Sequence, residues 1–318
     1  MFLEVVVLKT NGTKVNVVLC KDKQRGWYLC DRSYVNGKRR HLILEAYGKE
    51  RPSLFLPSIE SGLAEERLPK LSAGVFDLIY LDPPYGITAG EWDIPPDWAW
   101  LGEETARLLK PSGQVVLHGS GEMAARALVA FEPFLSHRFE LVWVKEREDG
   151  RLRTTAWISD YEPLRAHELI HVFKHKDAAT KTLTFNRGAM HRRVDGSYGS
   201  RGSSPTHQAK GWSGEFKENT SGYRWPVDVI FQTPNEKSEL YAAKPEDLTR
   251  IVITTLTKPG DSILDPYAGT GTTIKIAFRL GRHSHGIEAS PKAFKILQES
   301  LEGMKGHDEY ESCALRQG

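Results

Sequence analysis

The chain has 318 residues, 40% apolar and 26% charged, with a formal net charge of +2, which is ordinary for a globular protein with room for one large domain and smaller attachments. No apolar run reaches the roughly 20 residues that span a bilayer, and no signal-peptide pattern opens the chain, so the expected location is the cytoplasm and no membrane partner is expected. Three cysteines, Cys20, Cys30 and Cys313, without CxxC spacing, exclude a zinc-ribbon or multi-disulfide framework.

Residues 1–51 alternate apolar and polar. Leu3 to Leu8 and Lys14 to Leu19 flank Asn11-Gly12 as a hairpin, Trp27 to Leu29 and His41 to Leu44 add two more strands, and Asn36 to Arg40 is read as a basic loop between them. This predicts a small β-rich module of formal charge +6.

From Leu54 the pattern becomes strands separated by helices. Leu54 to Leu56 reads as a strand, and Phe76 to Leu81 as a second, buried one. The second runs into Asp82-Pro83-Pro84-Tyr85. Two prolines cannot continue a strand, so the chain must leave the sheet there and hold Tyr85 over its carboxyl end. Asp82 and the freed Pro83 carbonyl can accept hydrogen bonds from an exocyclic amine while Tyr85 stacks on a flat ring. The same four residues would also serve as a plain tight turn. A helix over Pro96 to Lys110, a strand at Val115 to Leu117, a helix over Glu122 to Phe131 and strands at Phe139 to Val144 and Leu169 to Phe173 follow. His167, His171 and His175 fall on that last, strand-like stretch without an acidic or cysteine cluster beside them, and no metal is expected.

Between Lys176 and Arg224 regularity fails. Glycines alternate with Arg187, Arg192, Arg193, Arg201 and several aromatics, and residues 174–224 again carry +6, leaving −10 for the rest outside the two basic pieces. Basic residues among aromatics suit phosphate contact and base stacking, and equally a solvated surface loop. Ser262 to Asp265 then reads as a buried strand entering Pro266-Tyr267-Ala268-Gly269-Thr270-Gly271-Thr272-Thr273 and the helical segment Ile274 to Leu280. Strand, glycine loop and helix start together form a cofactor cradle, and the next strand, His283 to Ile287, ends in Glu288, where doubly wound folds place an acid for ribose hydroxyls.

The pair Asp82 to Tyr85 and Asp265 to Thr273 resembles the DPPY and FxGxG motifs of S-adenosylmethionine-dependent DNA amino-methyltransferases. With the catalytic motif first, the order resembles the permuted β class of that family. Arg107 to Gly113, Trp225 to Ile230 and Lys244-Pro245 are similar to further family segments, and the resemblance covers roughly residues 52 to 302. Two departures stand out: no Gly-Asp pair follows Leu54 to Leu56, leaving Ser58 or Glu60 as substitutes for a cofactor contact, and no His precedes Lys244-Pro245.

The resemblance implies an α/β, Rossmann-like methyltransferase fold with a mostly parallel sheet and helices on both faces. Beyond the basic β module (1–51), which the resemblance does not reach, it divides the chain into a catalytic half (52–175), an irregular target-recognition insert (176–224) and a cofactor-binding half (225–318). It implies that Asp82, Pro83, Pro84 and Tyr85 are catalytic. Asp265, Pro266, Tyr267, Gly269, Thr270, Gly271, Thr272, Thr273, Glu288, Lys244 and Pro245 would bind S-adenosylmethionine. The two segregated basic pieces make Lys38, Arg39 and Arg40, outside the resemblance, and Arg187, Arg192, Arg193 and Arg201 the expected contacts to double-stranded DNA. The expected product is N6-methyladenine, because Asp opens the motif in the adenine enzymes; N4-methylcytosine, an RNA or protein substrate, and an inactive DNA-binding module are the rival readings. A homodimer and a cognate restriction endonuclease are candidate partners.

Overall fold

The computed structural model describes the backbone of residues 4–10, 13–22, 26–35 and 38–48, and residues 57–306 apart from 87–89, 91–92, 148, 155–159, 162, 191–225 and 235–242. Strands β1 (Glu4–Thr10), β2 (Thr13–Asp22), β3 (Gly26–Val35) and β4 (Lys38–Gly48) pair antiparallel in chain order, as their alternation predicts. One reading changes: Lys38, Arg39 and Arg40 are not loop residues but open β4, opposite Val35, Tyr34 and Ser33. With only Asn36 and Gly37 between the strands, the basic triplet falls inside the ladder.

The second sheet has eight strands: β5 (Ser58–Ser61), β6 (Phe76–Leu81), β7 (Leu109–Gly119), β8 (Leu135–Lys145), β9 (His167–His175), β10 (Val229–Gln232), β11 (Ser262–Asp265) and β12 (His283–Glu288). Their spatial order is β10-β8-β9-β7-β6-β11-β12-β5. Only β9 runs antiparallel to its neighbours. Helices α1 (Ala64–Arg67), α2 (Trp98–Leu108), α3 (Gly121–Phe131), α4 (Glu246–Leu256), α5 (Thr272–Arg279) and α6 (Pro291–Gly306) connect or flank them.

Both faces of the sheet are covered, which is why β6 reads as a nearly unbroken apolar run rather than an alternating one. Side chains along a strand point to opposite faces in turn. Ile79 and Leu81 join a core with Val115, Leu117 and Leu264 under Leu101 and Leu108 of α2 and Phe131 of α3. Leu78 and Tyr80 face the other way, into a core with Val116, Ile170 and Ile263 under Val252 and Ile253 of α4 and Ile276 of α5. The start of α2 is set by Asp97, whose carboxylate caps the amides of Ala99 and Trp100. The helix therefore starts at Trp98 and ends at Leu108, inside the predicted span of Pro96 to Lys110.

The strand bordering β12 is Ser58–Ser61, whereas Leu54 to Leu56 lies outside the described residues. Beyond His175 and as far as Met190, only turns and the short 3-10 helices Thr180–Thr182 and Arg187–Met190 follow, as the loss of regularity predicts, yet Leu183 is buried, Asn186 donates its amide to the Thr255 carbonyl near the end of α4, and Met190 packs on the α4 core. Residues 177–190 are docked on the domain. Among the described residues no helix is long and apolar enough to cross a membrane.

Candidate active site

Two strands far apart in sequence set the site. β6 and β11 pair in parallel, Ile79 beside Leu264, and the chain leaves them in opposite directions, β6 toward β7 and β11 toward β12. That reversal opens a crevice beyond the carboxyl ends of the two strands. Asp82 follows β6 and Asp265 ends β11, so both candidate motifs converge on it.

The turn after β6 is held from below. The buried Asp93 accepts the amides of Tyr85 and Gly86 on one oxygen, each at 2.8 Å. Gly86 has φ of 69°, and a Cβ there would lie 2.6 Å from Pro95, so this turn requires glycine after the tyrosine. The Tyr85 hydroxyl donates back to Oδ1 of Asp82 at 3.0 Å. Ring and carboxylate are thus one rigid unit.

Strand parity explains what joins them. Leu78 and Tyr80 face α4, and Asp82 is next in that alternation, so the residue that leads α4 meets it. Lys244 Nζ lies 2.9 Å from Asp82 Oδ1, 3.2 Å from Glu168 Oε2 and 3.3 Å from the Tyr85 hydroxyl, and it sits over the Tyr85 ring at 5.3 Å from the centroid. Glu168, near the start of β9, also pairs with Lys145 at 2.5 Å. Burial opposes charge on Lys244, yet Asp82, Tyr85 and Glu168 hold its ammonium well above the usual lysine range. Burial likewise works against ionised Glu168, but Lys244 and Lys145 bring it down to about 2. Beneath the turn, Tyr80 and His118 share a hydrogen bond of 2.7 Å, and burial lowers His118 to about 4, so the imidazole is neutral.

The second half of the crevice is the loop from β11 to α5. Asp265 accepts the Tyr267 amide at 3.0 Å; burial pushes its carboxyl up to about 7, Thr273 and Tyr267 oppose that, and Asp82 and Glu288 add to it. Glu288 accepts the Gly269 and Ser290 amides at 2.7 Å each, and burial raises its carboxyl. Its strand therefore fixes the glycine loop through the acid itself. Gly269 has φ of 54° and nothing within 4 Å of where a Cβ would sit, while a Cβ on Gly271 would lie 2.1 Å from Leu297 of α6. The first glycine borders open crevice; the second is a packing contact.

The structure therefore brings Asp82 to Tyr85 together with Asp265 to Thr273 and Glu288. It moves Lys244: its polar contacts among the described residues are to the proline turn and Glu168, not to the glycine loop. The neighbouring Pro245 is the first-turn cap of α4. Neither Ser58 nor Glu60 ends its strand. β5 finishes at Ser61, opposite Glu288, and is followed by Gly62 and the exposed Leu63, so the glycine of the sought pair is present and the acid is not. Arg187 stands next to Asn186, beside the end of α4 remote from Lys244; Arg192, Arg193 and Arg201 lie outside the described residues. The sequence alone does not single out Asp93 or Glu168. Glu168 is hidden in the alternation of a histidine-bearing strand.

A doubly wound sheet with a carboxylate-bearing proline turn and a glycine loop on adjacent central strands defines a Rossmann-like methyltransferase domain. The chain belongs to the N6/N4 methylase family, whose model, described as DNA methylase, matches residues 76–299. It is similar to the DNA adenine methyltransferase YhdJ of Escherichia coli (strain K12), 28% identical over 248 residues that cover 75% of this chain and 80% of that protein. Among solved structures it is similar to TTHA0409 of Thermus thermophilus, solved as a complex with S-adenosyl-L-methionine (TM-score 0.51, 20% identity, 78% of this chain and 94% of that one). It is also similar to the cytosine-N4-specific PvuII DNA methyltransferase (TM-score 0.54, 15% identity, 81% and 92%).

Proposed function

We propose that this chain transfers a methyl group from S-adenosylmethionine to the exocyclic N6 amine of adenine in double-stranded DNA, and that its motif order is that of the permuted β class. The observation that carries this reading is the convergence of the Asp82 carboxylate and the glycine loop on one crevice between β6 and β11. The crevice suits the cofactor: Gly269 leaves open space where a side chain would stand, and Asp265 and Glu288 offer acceptors for hydroxyl or ammonium donors. Bound S-adenosylmethionine supplies an electrophilic methyl group on its sulfonium sulfur.

The rest is done by the chain. A target base reaches Asp82 only after leaving the duplex. The amine nitrogen's lone pair is delocalised into the ring, so the protein's task is to hold that nitrogen in place and favour its pyramidal form. Asp82 and the Pro83 carbonyl do so by accepting the two amine hydrogens, with the Tyr85 ring against the base. Adenine is favoured by Asp at the head of the motif and by the likeness to an adenine methyltransferase; the likeness in fold to a cytosine-N4 enzyme keeps N4-cytosine as the second reading.

The test is transfer of a labelled methyl group from S-adenosylmethionine to a mixed-sequence DNA pool, followed by nucleoside analysis. N6-methyladenine is the expected product. N4-methylcytosine would overturn the base assignment alone, and label on RNA or protein but not DNA would overturn the substrate class.

A further inference from the structure

Lys244 takes up one of the acceptor positions that Asp82 would offer a target amine. Its Nζ is a nitrogen donor 2.9 Å from Asp82 Oδ1 and 3.3 Å from the Tyr85 hydroxyl, at the hydroxyl end of the ring. Asp82 Oδ1 already accepts from the Tyr85 hydroxyl, while Oδ2 has no partner among the described residues. On the other side of the ammonium, Glu168 Oε2 is buried and takes no hydrogen bond, although Nζ is only 3.2 Å away. Glu168 is itself anchored by Lys145 through its other oxygen. A buried acceptor with unused capacity beside a cation is costly unless it is filled in another arrangement of the same groups.

We propose that the Lys244 ammonium and the target amine compete for Asp82, and that Glu168 is the positioning residue that draws the ammonium aside when the base enters. The exchange balances. Lys244 gives up the Asp82 contact and completes a hydrogen bond to Glu168 Oε2; the amine takes the released acceptor. No charge leaves the cluster of Asp82, Glu168, Lys244 and Lys145, whose formal charges cancel. Without the Glu168 carboxylate the ammonium has one anion left, Asp82, and stays on it.

This inference rests on the proposed reaction, and the test separates the two. In the full chain, Glu168→Gln should raise KM for DNA about ten- to hundredfold, the size of a lost charged hydrogen bond, with calorimetric affinity for S-adenosylmethionine unchanged. The discriminating variant is the double substitution Glu168→Gln with Lys244→Met, which removes the competitor and should recover at least about tenfold of that loss. A merely structural Glu168 would give the opposite, a double variant no better than the single one. That result, or a Glu168→Gln enzyme with wild-type KM, overturns the inference while leaving the reaction standing. A wild-type chain that methylates no DNA overturns both.

Discussion

The two glycines of the cofactor loop carry the same residue type two positions apart, yet the structure assigns them different work, and alanine at each should separate folding from binding. Gly271→Ala places a Cβ 2.1 Å from Leu297 Cδ1 at φ of 84°. Leu297 is fully buried among Ala268, Ile274 and Leu301, so its methyl cannot swing into solvent. Overpacking of this kind costs about 1–3 kcal/mol and the left-handed backbone about 1–2 more, so a total of roughly 2–5 kcal/mol is expected. For a domain of this size that lowers the unfolding midpoint by roughly 4–10 °C. Gly269→Ala, at φ of 54° with open space around the new methyl, bears only the backbone cost of about 1–2 kcal/mol. Its methyl, however, projects into the crevice, so affinity for S-adenosylmethionine should fall at least about tenfold, a penalty of roughly 1.4 kcal/mol. Thermal unfolding of the free proteins with titration calorimetry measures both quantities. Equal destabilisation by the two variants, or unchanged cofactor affinity in Gly269→Ala, would refute the division of roles.

Three further outcomes follow from the same geometry. Asp82→Ala should abolish methyl transfer with S-adenosylmethionine affinity largely kept, as measured by single-turnover transfer and calorimetry, because Asp82 belongs to the amine side of the crevice. Tyr85→Ala should impair transfer about ten- to hundredfold through lost stacking; Tyr85→Phe should fall between it and wild type, since it keeps the ring but loses the 3.0 Å bond that fixes Asp82. Asp265, whose carboxyl burial lifts to about 7, binds a proton more readily folded than unfolded, so its contribution destabilises as pH rises from about 4 to 7. Asp265→Asn should therefore flatten the stability profile across that window and be the more stable form at pH 8, which denaturant titration at several pH values checks.

The central half of the fold is legible in the sequence because its signals are local. An apolar run ending in two prolines, and a short strand ending in a glycine loop, each specify their own geometry wherever they sit, and both motifs stand at strand ends as read. Edge elements give weaker signals. Ser58–Ser61 is half exposed and has no apolar run, so the sequence carries no strand signal there, while Leu54 to Leu56 lies outside the described residues. The basic triplet Lys38 to Arg40 reads as a loop because its charge outweighs its two-residue spacing from β3. Lys244, Glu168 and Asp93 escape a sequence reading for one reason: their roles depend on which strands are neighbours, and strand order is not written in spacing.

That strand order also explains why so small a set of residues can serve both halves of the site. β6 and β11 are bonded neighbours with Ile79 level with Leu264, which puts Asp265 level with Tyr80 and Asp82 two residues farther on, about 7 Å along the strand direction and one inter-strand spacing of about 4.8 Å to the side. Both acids fall on the α4 face by alternation. The glycine loop and the proline turn are thereby offset along the crevice rather than opposed across it, and the offset is set by sheet hydrogen bonds instead of by loop conformation. Asp93, farther along the same segment between β6 and α2, braces the proline turn, and Glu288 ties the glycine loop to β12. Lys244 enters the site from outside the sheet, just before α4, and has two anionic partners, Asp82 and Glu168.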